Sequence, residues 1–158
     1  MNPTHLHLVI THLPIYGSML GALTLMYGMA KKSSHTKTAA FYLLLIACVG
    51  GIIAYSTGES AEETVKNLQS VNENIIEEHE EIAKLTLSSI IALGLASLAA
   101  IMLIAKKSVY ARGITIAVLI ISLITAGMAS WTGYLGGKIR HTETANAVGM
   151  IPENKNDH

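Results

Sequence analysis

Histidines near the ends of long apolar segments are the residues of this sequence most suited to chemistry. His12 lies just inside the first apolar segment, and His79 lies just before the third. An ionisable side chain at membrane depth is costly unless it is paired or functional. Two facing imidazoles fill both axial positions of a haem iron, which suits electron transfer. His12 and His79 are therefore the predicted axial ligands of a b-type haem.

Small and polar residues near these histidines could complete such a haem site. Gly58 and Gly133 would leave room for a flat macrocycle, although small residues also serve ordinary packing between membrane helices. Arg140 and His141 follow the fourth apolar segment and could bind haem propionates, with Trp131 nearby. Interfacial anchoring explains the residues at the end of that segment equally well.

The same histidines admit other interpretations. Zinc or copper could be bound instead, with His7 and His141 as alternate ligands, or the imidazoles could form structural hydrogen bonds. Cys48 stands alone within an apolar segment, so no disulfide or paired-cysteine metal site is predicted. No nucleophile elbow, phosphate-binding loop or HExxH motif is present, so an enzyme acting on its own is not expected.

The elements that must position these residues are four transmembrane helices. With 51% hydrophobic and 14% charged residues, the composition is a poor match to a soluble surface. Each of four stretches without Asp, Glu, Lys or Arg is long enough to cross the bilayer as a helix. Strands are excluded because four could not close a barrel in lipid. The sequence predicts one all-α membrane domain, 1–158, a four-helix bundle with spans near 9–30, 39–57, 83–105 and 113–137.

The charged residues predict the orientation of the bundle. Lysines at 31, 32, 37, 106 and 107, with Arg112, occupy the two short loops, which are therefore predicted to be cytoplasmic. Both termini and the acidic segment 59–82 would then lie outside the cell. The positive charges form no extended patch, so nucleic-acid binding is not expected.

The pattern of the third helix and an internal repeat bring the histidines together in this prediction. Ile75, Ile76 and His79 begin a stripe at helical spacing that would face the bundle axis. The segment 51–58 resembles 126–133, which aligns Gly58 with Gly133 and suggests a duplicated helix pair. His12 would then correspond to His79 and face it across an axis along the membrane normal.

Two segments resemble a known family. The run from His7 to Ile15, with His12 and Pro14, resembles the H-P-x-L-V-H-F-P-I signature of the prokaryotic domain-of-unknown-function 2231 family, and departs from it at Leu8. The segment from Gly133 to His141 is similar to that family's closing G-x-L-G-G pattern. The resemblance implies a four-helix membrane domain that is suspected of haem binding or of association with cytochromes.

These observations predict a membrane-bound electron-transfer subunit of the prokaryotic cytoplasmic membrane, with its haem near the outer face. The expected partners are membrane lipid, a quinol donor, and a c-type cytochrome attracted to the acidic segment or a larger respiratory complex. The subunit could also form homo- or hetero-oligomers. The rival hypothesis is a non-redox subunit that is structural or binds zinc or copper through its histidines.

Overall fold

The structure is an all-helical bundle, as the sequence predicts. The computed structural model describes residues 3–66 and 73–147, and the side chains of 7–58 and 74–139. All of the secondary structure in these ranges is helical. The helices are α1 (Pro3–Ile10), α2 (His12–Ala30), α3 (Ser34–Lys66), α4 (Glu73–Ala105) and α5 (Ala111–Ala147).

Four stretches are long and apolar enough to cross a membrane: His7–Ala30, Ser34–Gly58, Asn74–Ala105 and Ala111–Ile139. Large apolar side chains such as Leu95 and Ile120 are exposed along these spans, which is expected where lipid is the solvent. Both α3 and α4 continue past the predicted spans, to Lys66 and from Glu73. The acidic segment 59–82 thus consists largely of helix extensions, and its centre, 67–72, lies outside the described residues.

The bundle consists of two antiparallel hairpins. The pairs α2–α3 and α4–α5 form the hairpins, and contacts between α3 and α4 and between α2 and α5 join them. Leu25, Phe41, Leu93 and Val118, one from each long helix, are fully buried in a shared core. The prediction of a four-helix bundle built from two similar hairpins is therefore confirmed.

A proline separates α1 from α2. Pro14 has no backbone N–H, so the carbonyl of Ile10 cannot receive its helical hydrogen bond. The helix breaks at Thr11, whose N–H still donates to the His7 carbonyl at 3.0 Å and whose hydroxyl donates to the Leu8 carbonyl. α1 packs against α3, and His7 lies on α1.

The two hairpins bury equivalent positions. Every buried residue of α2 has a buried counterpart in α4 located 72 residues later in the chain, so the repeat is a property of packing as well as of sequence. The pairs are Pro14 with Thr86, Ser18 with Ile90, Gly21 with Leu93, Ala22 with Gly94, Leu25 with Ser97, and Gly28 with Ala100.

The turns of the two hairpins are also alike. Each contains the tripeptide Lys-Lys-Ser, at 31–33 and 106–108. Lys32 and Lys107 have positive φ angles of 53° and 50°, the left-handed conformation that ends many helices. In each turn the serine N–H donates to a carbonyl five residues earlier, at 2.9 Å.

The helices of the two hairpins are joined by different contacts. In the first hairpin, a β-carbon on Gly17 would lie 2.8 Å from Ala47 Cβ, and one on Gly28 would lie 2.9 Å from the Lys37 nitrogen, so glycine permits close approach. In the second, hydroxyl groups bond across the interface, with 2.7 Å between Ser89 Oγ and Thr125 Oγ1.

Candidate functional site

The first histidine that packs inside the bundle is His7, on α1. Its Nδ1 lies 2.8 Å from the carbonyl oxygen of Ala54 and 3.3 Å from Thr57 Oγ1, both on α3. A carbonyl oxygen can only accept, so Nδ1 carries the proton and donates it. Thr57 can accept from the ring because its own hydroxyl donates to a carbonyl of α3. In the neutral ring the lone pair is therefore on Nε2.

The second is His79, on α4, which has an equivalent arrangement. Its Nδ1 lies 3.1 Å from the carbonyl oxygen of Thr132 on α5, so this ring too donates from Nδ1. The side chain of Thr132 in turn lies 3.0 Å from Thr86 Oγ1, which ties α5 to α4 directly below the histidine. The inward stripe predicted for α4 is present, because Ile76 is buried and His79 is half-buried.

In each arrangement, a glycine follows the residue whose carbonyl accepts the hydrogen bond by one helical turn and lies close to the imidazole. A β-carbon on Gly58 would lie 3.4 Å from Cε1 and 3.8 Å from Nδ1 of His7. A β-carbon on Gly136 would lie at the same two distances from Cε1 and Nδ1 of His79. We call these two arrangements the His7 socket (His7, Ala54, Thr57, Gly58) and the His79 socket (His79, Thr132, Gly136).

Both sockets lie at the same end of the bundle. Each histidine packs against the part of α3 or α5 that is far from the Lys-Lys-Ser turns. The two sockets correspond in connectivity, because an imidazole on the N-terminal side of each hairpin donates to a carbonyl on the second helix of that hairpin.

The predicted direction of His12 is wrong. Its ring is exposed, its Nδ1 donates to the Leu8 carbonyl at 3.0 Å, and it stacks on exposed Tyr16 with 6.1 Å between ring centroids. Pro14 is the buried residue at this level, and a residue two positions away lies about 200° around the helix. His12 therefore points away from the bundle and from His79.

The register of the predicted repeat is wrong for the same residues. The counterpart of His79 is His7, and the counterpart of Gly58 is Gly136. Gly133 serves another purpose, because Ile15 Cδ1 on α2 would lie 2.7 Å from its β-carbon. This contact brings α5 close to α2 and does not border a histidine socket.

The residues predicted around the haem are only partly described. Trp131 is 49% exposed and lies 5.4 Å from the Tyr134 ring, while Lys138 Nζ lies 4.8 Å above that ring. This cluster is typical of a membrane interface. The side chains of Arg140 and His141 lie outside the described part of the chain, so their predicted roles remain predictions.

A site with many metal ligands is not found among the described side chains. Within 7–58 and 74–139, no three His, Cys, Asp or Glu side chains converge on one point. The candidate chemistry in that part of the bundle therefore rests on the two imidazoles.

Sequence reasoning missed the backbone carbonyls and threonines that orient the two rings. Thr57, Thr86 and Thr132 follow no motif, because hydroxyl groups are common in membrane helices. The repeated Lys-Lys-Ser tripeptide marks the two equivalent turns, but aligning the halves on it pairs Gly58 with Gly133, which is the predicted register and lies three residues from the observed one.

Comparison with known proteins decides the family. The family model described as Predicted membrane protein (DUF2231) matches residues 3–147. The chain belongs to the DUF2231 family. The resemblance predicted from the sequence is thereby confirmed. No curated protein and no solved structure matches the chain.

The DUF2231 match covers both sockets. It begins at the first residue of α1, before His7, and ends at the last residue of α5, beyond Gly136. The family description specifies a membrane protein and no activity. The chemistry of this DUF2231 chain must therefore be argued from its own residues.

Proposed function

We propose that this protein is a membrane-bound, b-type cytochrome-like electron-transfer subunit whose haem is held by His7 and His79. The observation that carries the proposal is the matched pair of hydrogen bonds from Nδ1 to the carbonyls of Ala54 and Thr132. His7 replaces His12 as the first ligand, because His12 points outward.

The tautomer supports a ligand role. A histidine that binds a metal almost always donates its other ring N–H to a carbonyl or carboxylate, which fixes the ring and makes the ligating nitrogen more basic. In both sockets Nδ1 makes this bond, so a metal would be bound through Nε2.

The symmetry of the sockets supports a single group shared between them. His7 and His79, one from each hairpin, would together supply the two imidazoles that hold the iron of such a haem. Such a haem carries one electron reversibly and has no open coordination position for substrate chemistry. Gly58 and Gly136 lie against the ring edges and place no side chain there.

Charged residues at this end of the bundle are suited to binding the haem propionates and a redox partner. Arg140 and His141 are proposed to bind the propionates, with Lys138 at the end of the fourth span as a further cation. The exposed carboxylates of Glu77, Glu78 and Glu81 are proposed to attract a basic c-type cytochrome, with a quinol as donor.

The proposed location is the prokaryotic cytoplasmic membrane, with the sockets at the outer side. The basic residues of the two short turns support this orientation. Assembly into a larger respiratory complex is part of the same proposal, because an electron carrier requires a donor and an acceptor.

A non-redox subunit that binds zinc or copper through the same imidazoles is the second candidate. Two carbonyl-oriented histidines suit these ions as well. Tetrahedral zinc needs further protein ligands, and no third ligand joins either histidine among the described side chains. This observation favours haem.

The test is a dithionite-reduced minus oxidised visible spectrum of the detergent-purified protein after haem-replete expression, with metal analysis of the same sample. Sharp b-type bands with about one haem per chain are expected from bis-imidazole ligation. Absence of haem together with stoichiometric zinc or copper would replace the proposal by its rival.

A further inference from the structure

The tip of the second hairpin extends further than the tip of the first. In the first hairpin, Lys32 is the fourth residue after buried Gly28. In the second, Lys107 is the seventh residue after the counterpart of Gly28, Ala100. Along the next helix, the first residue of the hydrophobic core again lies three residues further from the turn in the second hairpin than in the first. At 1.5 Å per residue, the second turn lies about 4.5 Å further along the bundle.

This longer tip exposes two apolar side chains. Val109 is 88% exposed and Tyr110 is 73% exposed, the largest values among the large hydrophobic residues of the described chain. Both lie between the spans, after Ala105 and before Ala111, so the hydrocarbon core does not cover them. At the first tip the tripeptide is followed by Ser34 and His35 instead.

Positive charges surround the two apolar residues. Lys106, Lys107 and Arg112 are all exposed. The sequence contains no acidic residue before Glu59 and none between Glu81 and Glu143, so no carboxylate of either turn offsets these charges. The second tip therefore combines two exposed apolar side chains with three cations.

The position of Tyr110 identifies what covers this tip. Tyr110 directly precedes the fourth apolar stretch, Ala111–Ile139, a position typical of residues in the interfacial layer of a membrane. Tyrosine is enriched there because its ring is apolar and its hydroxyl is polar. Lysine and arginine at this depth pair with lipid phosphates while their stems lie along apolar groups. A protein partner would have to displace this lipid.

We propose that residues 106–112 form an anionic phospholipid binding element. Val109 and Tyr110 enter the interface below the headgroups, while Lys106, Lys107 and Arg112 bind the phosphates. The element is independent of the histidine sockets, which lie at the other end of the bundle. The first turn also has three cations, Lys31, Lys32 and Lys37, but has Ser34 and His35 in place of the two apolar residues, and so provides a matched control.

The experiment is native mass spectrometry of the full chain in mild detergent, titrated with phosphatidylglycerol or phosphatidylcholine. We expect phosphatidylglycerol to bind more tightly. Replacing both lysines, as K106Q/K107Q, should weaken that binding by about fivefold per cation. V109S/Y110S should weaken it with all charges retained, and K31Q/K32Q should have a smaller effect. Equal affinity for both lipids, or equal losses at the two turns, would overturn the proposal.

A depth measurement separates lipid from a protein partner. In a W131F background, Y110W places the only tryptophan of the chain at the tip. Nitroxide lipids labelled near the headgroup should quench it more strongly than lipids labelled deep in the acyl chain. No quenching by the shallow label in phosphatidylglycerol vesicles would mean that the tip lies in water and not in lipid, which would contradict the proposal.

Discussion

His7 and His79 occupy equivalent positions in the two hairpins, and each donates its Nδ1 proton to a backbone carbonyl of the following helix. A backbone carbonyl cannot rotate as a side chain can, so both rings are held by the helices themselves. The two histidines are thereby fixed relative to the bundle more firmly than exposed His12, whose Nδ1 donates to a carbonyl within its own turn of helix.

Bulk at the socket glycines should displace the imidazoles. A β-carbon at Gly58 or Gly136 would make ordinary contact with Cε1, so alanine should be tolerated. The branched side chain in G58V or G136V should push the ring from its carbonyl and lower haem affinity by about tenfold or more, as other losses of ligand orientation do. Haem titration monitored at the Soret band measures this.

The control for that prediction is G137V, because nothing lies within 4 Å of a β-carbon at Gly137. It should retain haem as the unmodified protein does. Equal loss of haem in G137V and G136V would mean that the loss reflects helix propensity and not contact with His79.

The hydroxyl pair below His79 should contribute to stability. Thr86→Val removes the hydrogen bond to Thr132 while preserving shape, and such bonds between membrane helices average about 0.6 kcal/mol, with values up to about 1.7. Unfolding in detergent, followed by circular dichroism, should show a loss of this size. Ser88→Ala, whose exposed hydroxyl bonds only within α4, should leave stability unchanged.

Close approach in the first hairpin should depend on Gly28. A β-carbon there would lie 2.9 Å from the Lys37 nitrogen and 3.2 Å from the Thr36 carbonyl carbon, both backbone atoms. Gly28→Ala should force α2 from α3 and destabilise the protein by about 1–3 kcal/mol. Gly127→Ala, with open space around it, should be neutral or slightly stabilising, and a thermal shift assay compares the two.

The orientation can be tested by labelling intact cells with a membrane-impermeant maleimide in a C48A background. Ser33→Cys and Ser108→Cys lie in the two basic turns and should react only after lysis. Glu77→Cys, on the exposed side of α4, should react without lysis. The reverse pattern would place the sockets at the cytoplasmic side.

The fold was predictable because charge-free segments of sufficient length have few alternatives in lipid. The rotation of α2 was not, because that helix is apolar nearly all round and periodicity requires contrast between faces. His79 was predicted to face inward because Glu77, Glu80 and Glu81 mark the opposite side of α4.

The most direct test of the central claim compares the haem content of H7A, H79A and H12A, each purified as a monodisperse sample and measured by reduced minus oxidised spectra. The geometry predicts that H7A and H79A lose the b-type bands and that H12A, whose ring lies outside the bundle, retains them. Loss of the bands in H12A with retention in H7A would contradict the assignment of the two sockets as the haem site.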